Sequence, residues 1–239
     1  MMRLDGRKVL LVGVSTGLGA ATAYYLLREG AQVAISGRGE EKLRAIAKNL
    51  SQYGKVSVVQ GDASTKEGAK KVADEASRLM GGIDGIAVLV GGFSADKIED
   101  LAALEEMTLN HIKVPLYVVN ASLPHLHKGS SIVLISSTLA MDKAHGPLSY
   151  SIGKAGTAKE VHLLANQLLG REIRVNGIAP SSIDGEFKPD TEFKSARKLG
   201  EGSAPPDAFA KVITWLMTEE AGWVNGVVIP VDGGARLKQ

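Results

Sequence analysis

The sequence predicts an α/β fold, one doubly wound domain with a mostly parallel seven-stranded sheet and helices on both faces. Three observations predict it. Short runs rich in valine and isoleucine recur seven times, and they are apolar at successive rather than alternate positions, as in strands buried on both faces of a parallel sheet. Longer amphipathic stretches alternate with them, which supplies the crossovers that parallel strands require. The 239 residues and 44% hydrophobic composition allow one large core, and α/β folds of this length often form a single domain.

The elements follow in order. KVLLVGV (8–14) leads through glycines into a helix over Gly17–Glu29, and AQVAISG (31–37) into one over Glu40–Gln52. KVSVVQG (55–61) precedes a helix over Thr65–Met80, and IDGIAVLVGG (83–92) precedes one over Asp100–His125, where Pro115 predicts a kink or a shorter helix. SSIVLISS (130–137) is followed by a helix over Leu148–Leu169, IRVNGIAP (173–180) by one over Pro206–Met217, and GVVIPVDGG (226–234) closes the sheet. Between the last two helices lies SSIDGEFKPDTEFKSARKLGEGSAPP (181–206), polar and rich in glycine, proline and charge; a long loop of this kind is either a functional lid or disordered.

Composition excludes several classes. A net charge of +2 gives no field that would make nucleic acid the main partner. The absence of cysteine removes disulfides, thiolate metal sites and cysteine nucleophiles. The five histidines show no metal-ligand spacing, so no metal is expected. The first residues lack the pattern of a secretory signal, and no run reaches the ~18 apolar residues of a membrane span, so a soluble cytoplasmic protein is the expectation.

The chemistry concentrates at strand ends. Gly13-Val14-Ser15-Thr16-Gly17-Leu18-Gly19 forms the first strand-to-helix turn, where glycines let backbone N–H groups approach a pyrophosphate at a helix N-terminus. The second strand ends in Ser36-Gly37-Arg38 instead of an acid. An acid there would bond a ribose 2′-hydroxyl, whereas a small residue followed by a guanidinium suits a 2′-phosphate, so NADP (NADPH) is favoured over NAD. After the third strand, Asp62-Ala63 reads equally as an adenine-binding carboxylate or as a turn aspartate. In SYSIGKAG (149–156), Tyr150 and Lys154 are four residues apart and share one helix face; a cation there is expected to lower the phenol's pKa from near ~10.

With these motifs the chain resembles the short-chain dehydrogenase/reductases, of the compact type that includes 3-oxoacyl-carrier-protein reductases, over Gly6–Gly234. The pattern G-x-x-x-G-x-G falls on Gly13, Gly17 and Gly19, and Y-x-x-x-K on Tyr150 and Lys154; the catalytic serine's place falls on Ser137 and the helix asparagine's on Asn110. The resemblance implies a Rossmann-type fold and catalysis by Asn110, Ser137, Tyr150 and Lys154. Tyr150 is then the acid-base group, Ser137 the donor to the substrate oxygen, Lys154 the holder of the nicotinamide ribose, and Asn110 the holder of a relay water. It also implies a cofactor set of Gly13, Ser15, Thr16, Gly17, Leu18, Gly19, Arg38, Asp62, Ala63, Gly91, Tyr150, Lys154, Pro180, Ser181 and Ile183. Two places depart from the family: Val88-Leu89-Val90-Gly91 keeps only the glycine of N-N-A-G, and Pro180-Ser181 replaces P-G.

The expected activity is hydride transfer between NADP and a small ketone or secondary alcohol, possibly a 3-oxoacyl thioester. The alternative class is a non-catalytic dinucleotide-binding regulator, for which Lys154 alone of the four would be needed. His145 is a candidate substrate contact, Phe93, Met141, Phe187 and Phe193 are candidates for an apolar pocket, and KSARKLG (194–200) reads as a solvated face. Ala155, Ala158, Val161, Leu164, Ala165 and Leu168 on the sixth helix, with the family's habit, point to a homotetramer or homodimer.

Overall fold

The computed structural model describes residues 2–141, 146–190 and 198–238; His145, Phe193 and the 194–197 part of the basic stretch lie outside them. Seven strands form one sheet: β1 (Lys8–Val12), β2 (Gln32–Gly37), β3 (Val56–Gln60), β4 (Gly85–Val88), β5 (Ser131–Ile135), β6 (Arg174–Pro180) and β9 (Val228–Val231). Their order is β3-β2-β1-β4-β5-β6-β9, and every neighbouring pair is parallel.

The continuous apolar runs are explained by two cores. On one face Val9 and Leu11 of β1 meet α1 (Leu18–Arg28), α2 (Glu40–Leu50) and α7 (Pro206–Met217) through Leu26, Leu43 and Phe209. On the other, Leu10 and Val12 meet α3 (Lys66–Met80), α5 (Val114–Ser122) and α6 (Leu148–Gln167) through Val72, Val118 and Val161. Alternate side chains thus enter opposite cores, as the period of a strand requires.

The expected helix over Asp100–His125 is corrected. It is a short α4 (Leu104–Thr108), a π turn over Leu109–Lys113, α5, and a 3₁₀ turn over Leu123–His125. In the π turn the Val114 N–H reaches back to the Leu109 carbonyl, and Pro115 has no N–H to offer. The His111 carbonyl, four residues before the proline, therefore has no α-helical donor; the buried Thr157 hydroxyl of α6 donates to it at 2.6 Å. This bond joins the helix that carries Asn110 to the helix that carries Tyr150 and Lys154.

The 181–206 segment is also more ordered at its ends than a polar loop would be. Ser182–Ile183 (β7) pairs in parallel with Ser203–Ala204 (β8). Residues 184–190 then cross the glycine loop, where the Phe187 N–H donates to the Thr16 carbonyl at 3.0 Å. No helix of the described residues is long and apolar enough to cross a membrane.

Thr157→Val keeps the shape of the side chain and leaves the His111 carbonyl buried without a donor. Chemical denaturation is expected to show a loss of about 1–3 kcal/mol, the cost of an unsatisfied buried polar group.

Candidate active site

The strand order reverses at β1, so the connections after β1 and β4 leave in opposite directions, and a crevice opens at the carboxyl ends of the two strands. Two cavities share it. One of about 620 Å³ is lined by Ser137, Tyr150, Lys154, Pro180, Ser181 and Ile183, with Leu18 and Phe93. The other, of about 650 Å³, is lined by Gly13, Arg38, Asp62, Ala63 and Asn110. Val90 and Gly91 line both, which makes the pair an elongated, continuous site.

The glycine loop is built by close contacts. Gly13 has φ of +86°, and a Cβ there would stand 2.5 Å from the Val90 nitrogen. A Cβ at Gly19 would stand 2.8 Å from the Val14 Cα, so the loop folds tightly onto the start of α1. Gly17 caps α1 without a side-chain hydrogen bond, leaving N–H groups at this helix end for an anion. An end-to-end site with an anion-binding loop at its middle fits a dinucleotide. Leu18 reaches the first cavity; Ser15, Thr16, Gly17 and Gly19 form the loop without lining either one.

The altered Val88-Leu89-Val90 segment finds an apolar role. Val88 and Val90 belong to one core and Leu89 packs against the other, while the Leu89 N–H donates to the Val12 carbonyl at 2.7 Å. Asp62 is a turn aspartate at the edge of the second cavity. It accepts from the Ser64 N–H at 3.0 Å. That bond, with Arg38 contributing, holds its carboxyl below the usual range. Lys42, in the first turn of α2, lines this cavity too, with Glu40 and Glu41 beside it; sequence reading singled out none of the three.

At the other end, Ser137 precedes a 3₁₀ turn, and its oxygen accepts from the Leu139 N–H at 3.2 Å. The N-terminus of α6 is held by Asp96, which accepts from the Ser149 N–H at 2.9 Å and from the Ser149 hydroxyl. Ser136 donates to the Lys154 carbonyl at 2.8 Å. These bonds fix Tyr150 and Lys154 against the end of β5. Tyr150 lies between Phe93, with ring centroids 5.1 Å apart, and the buried His111, at 5.4 Å and 90°. The His111 Nε2 is 3.2 Å from the Gly92 carbonyl oxygen, and burial pushes the imidazole down to about 3, so the ring is neutral.

One electrostatic expectation is overturned. Lys154 does not lower the phenol here: burial raises the Tyr150 pKa, and Ser137 is what opposes the rise. The Lys154 ammonium is 5.9 Å from the centre of the Tyr150 ring and donates instead to the Ile135 carbonyl at 2.8 Å. The spacing on the helix face is as expected, but the depth of the pocket reverses the sign.

Other candidates separate. Phe93 lines the first cavity. Met141 lines neither cavity, and Phe187 is buried against Tyr24 on the far side of α1. Among the described residues no group of three or more His, Asp or Glu side chains is placed to hold a metal ion.

A doubly wound parallel sheet with a glycine-built anion site at its switch point, and with Ser137, Tyr150 and Lys154 gathered in the same crevice, defines an oxidoreductase of the dehydrogenase/reductase class. Residues 13–236 match the family profile described as enoyl-(acyl carrier protein) reductase. The chain is 32% identical to the glucose 1-dehydrogenase of Gluconobacter oxydans over 98% of this chain and 94% of that one. It is 30% identical to the 3-oxoacyl-[acyl-carrier-protein] reductase of Thermotoga maritima over 98% and 99%. Among solved structures it is similar to a short-chain dehydrogenase of Burkholderia cenocepacia in complex with NADP, at 27% identity and a TM-score of 0.85 over 98% and 99% of the two chains. The chain belongs to the short-chain dehydrogenase/reductase family.

Glu160 of α6 gives a pH test of this site. It is buried, and neither carboxyl oxygen has a hydrogen-bond partner among the described residues. Burial pushes its pKa up to about 8, with Lys154 opposing. A carboxyl raised in the folded state stabilises the fold at low pH and loses that contribution as pH climbs from its unfolded value, near 4.5, through about 8. Glu160→Gln is therefore expected to match the parent's stability at pH 4 and to exceed it at pH 8 in urea denaturation. Equal stability at both values would contradict the assignment.

Proposed function

We propose that the protein transfers a hydride between NADP(H) and a ketone or secondary alcohol. The observation that carries the reading is that Ser137, Tyr150 and the buried Lys154 line one cavity. When bound, the reduced nicotinamide supplies the hydride. The protein supplies the proton and the polarity. A phenol whose pKa is raised keeps its proton across the neutral range, so Tyr150 is in the donor form that carbonyl reduction needs. Ser137 donates to the substrate oxygen as negative charge grows there. Lys154 holds the nicotinamide ribose. Asn110, in the π turn, holds a water: with Val114 bonded to Leu109 and no N–H on Pro115, its own carbonyl lacks the usual helical donors.

Support for the substrate class comes from the lining and from the relatives. Phe93, Leu139 and Ile183 give the first cavity an apolar wall, which suits a ketone with a hydrocarbon body, such as a 3-oxoacyl thioester. The names of the similar proteins include both a 3-oxoacyl carrier-protein reductase and a sugar dehydrogenase. Of the sixth-helix residues expected at an interface, Val161, Ala165 and Leu168 are instead buried in the core, while exposed Ile152 and Leu163 on α6 and Leu116 on α5 support a homo-oligomer, a tetramer or dimer.

NADP is favoured over NAD by Arg38 and Lys42 in the second cavity, with Gly37 where an acid would serve a free ribose. Charge-assisted hydrogen bonds are worth about 1.5–3 kcal/mol, so NADPH is expected to bind about ten to a few hundred times more tightly than NADH at low salt. Gly37→Asp with Arg38→Ile is expected to reverse the order in a binding titration. Equal affinity of the parent for both nucleotides would refute the role of Arg38.

Tyr150→Phe is expected to keep nucleotide affinity and to lose about 10²- to 10⁴-fold in turnover, the usual contribution of a general acid. The readout is NADPH absorbance against diketones, 3-oxoacyl thioesters, aldoses and steroids. Retained turnover in the variant would remove Tyr150 from the mechanism.

A further inference from the structure

The 184–190 strap brings a carboxylate to the glycine loop. The Glu186 carboxylate accepts a hydrogen bond from the Thr16 hydroxyl at 3.2 Å, and the Gly185 carbonyl oxygen lies 3.7 Å from where a Cβ on Gly17 would stand. The strap is not a loose surface loop at this point. Phe187 donates its N–H to the Thr16 carbonyl at 3.0 Å and buries its ring against Tyr24, with centroids 5.1 Å apart. Asp190, with φ of +54°, accepts from the Tyr24 hydroxyl at 2.9 Å and from the Tyr53 hydroxyl, with Arg28 beside it. Phe187 and Asp190, which anchor the strap to α1, follow Glu186 in the chain.

The first turn of α1 has no acidic residue of its own. The loop and helix end would therefore present only positive partial charge to a phosphate, and Glu186 opposes it. A fixed negative charge disfavours every dinucleotide at this loop, and it disfavours one with an extra phosphate more, because Coulomb energies add over the charges. On the other side of the site, Arg38 and Lys42 line the second cavity together with Glu40, Glu41 and Asp62.

We propose that Glu186 is a specificity-determining residue of the cofactor site, whose carboxylate on Thr16 offsets part of the preference that Arg38 and Lys42 create for a 2′-phosphorylated dinucleotide. The proposal rests on the reading that the cofactor lies across the glycine loop. It adds a strap carboxylate to the charges of the second cavity, where Arg38 and Lys42 stand beside Glu40, Glu41 and Asp62. Glu186 touches the loop and not the substrate, so its influence is on binding and selectivity.

The test is calorimetric titration of the full chain with NADPH and with NADH. Glu186→Gln retains an oxygen that accepts from Thr16 and removes only the charge. It is expected to tighten NADPH about three- to tenfold at ~20 mM salt, and NADH by a smaller factor. The difference is expected to vanish near ~1 M salt, where the Debye length falls to about 3 Å. Glu186→Lys reverses the charge and is expected to widen the gap between the nucleotides further. An equal change for both nucleotides, no change, or weaker NADPH binding in Glu186→Gln overturns the proposal. If the parent binds neither nucleotide, the cofactor reading itself fails, and that result is distinct from a parent that binds both while its variants do not differ.

Discussion

Both edges of β1 are occupied, by β2 on one side and β4 on the other, in parallel register from Val9 to Val12. The chain must enter the next strand on each side through a crossover, and crossovers to opposite sides cannot close over the strand ends between them. The crevice follows from this pairing. The glycine loop, Val90 and Gly91 meet there because they are the first residues after β1 and β4, and the close approach of Gly13 to Val90 is the seam between the two halves. Arg38 and Asp62 end their own strands at the same level, so the strand register also sets the spacing of the second cavity.

The second half of the site depends on a helix that cannot be regular. Pro115 removes a donor, the π turn absorbs the defect, and Thr157 completes the hydrogen bonding from the neighbouring helix. The irregular turn carries Asn110 and His111, and the regular helix carries Tyr150 and Lys154. A strain-free helix in both places would leave the two sets of residues with no polar link. The packing there is close: a Cβ on Gly153 would lie 3.1 Å from the His111 Cβ, so the small residues between Tyr150 and Lys154 are what let the helices approach.

Legibility in the sequence followed the range of the interaction. The strands were readable because burial on both faces writes itself into consecutive residues, and the glycine loop, Arg38 and Tyr150 could be placed from strand ends and helix faces, whereas Ser137 was placed by the family resemblance. The π turn was not. Pro115 signals a missing donor, but how the defect is absorbed depends on Thr157, 46 residues from the carbonyl it serves. The raised Tyr150 pKa was missed for a related reason: spacing gives neighbours on a helix, while desolvation depends on how deeply α6 is packed. The contact of Thr16 with Glu186 spans 170 residues, and nothing periodic in either segment announces it.

The far edge of the sheet carries a consequence for how the chain is made. The buried Asn176 of β6 donates through its side-chain amide to the Val224 carbonyl at 2.8 Å and accepts from the Val227 N–H at 3.3 Å, while the Asn225 side chain accepts from the Val175 N–H at 2.8 Å. A growing chain that has released β6 but not yet Val224–Val231 exposes an amide and a strand edge with no protein partners. Asp232 and Arg236, which line the first cavity, arrive later still. The wall of the active-site crevice is thus completed from the ribosome after the nucleotide loop, β5 and α6 are already available. Closure of the sheet edge and completion of that wall therefore depend on one segment, from Val224 to Arg236.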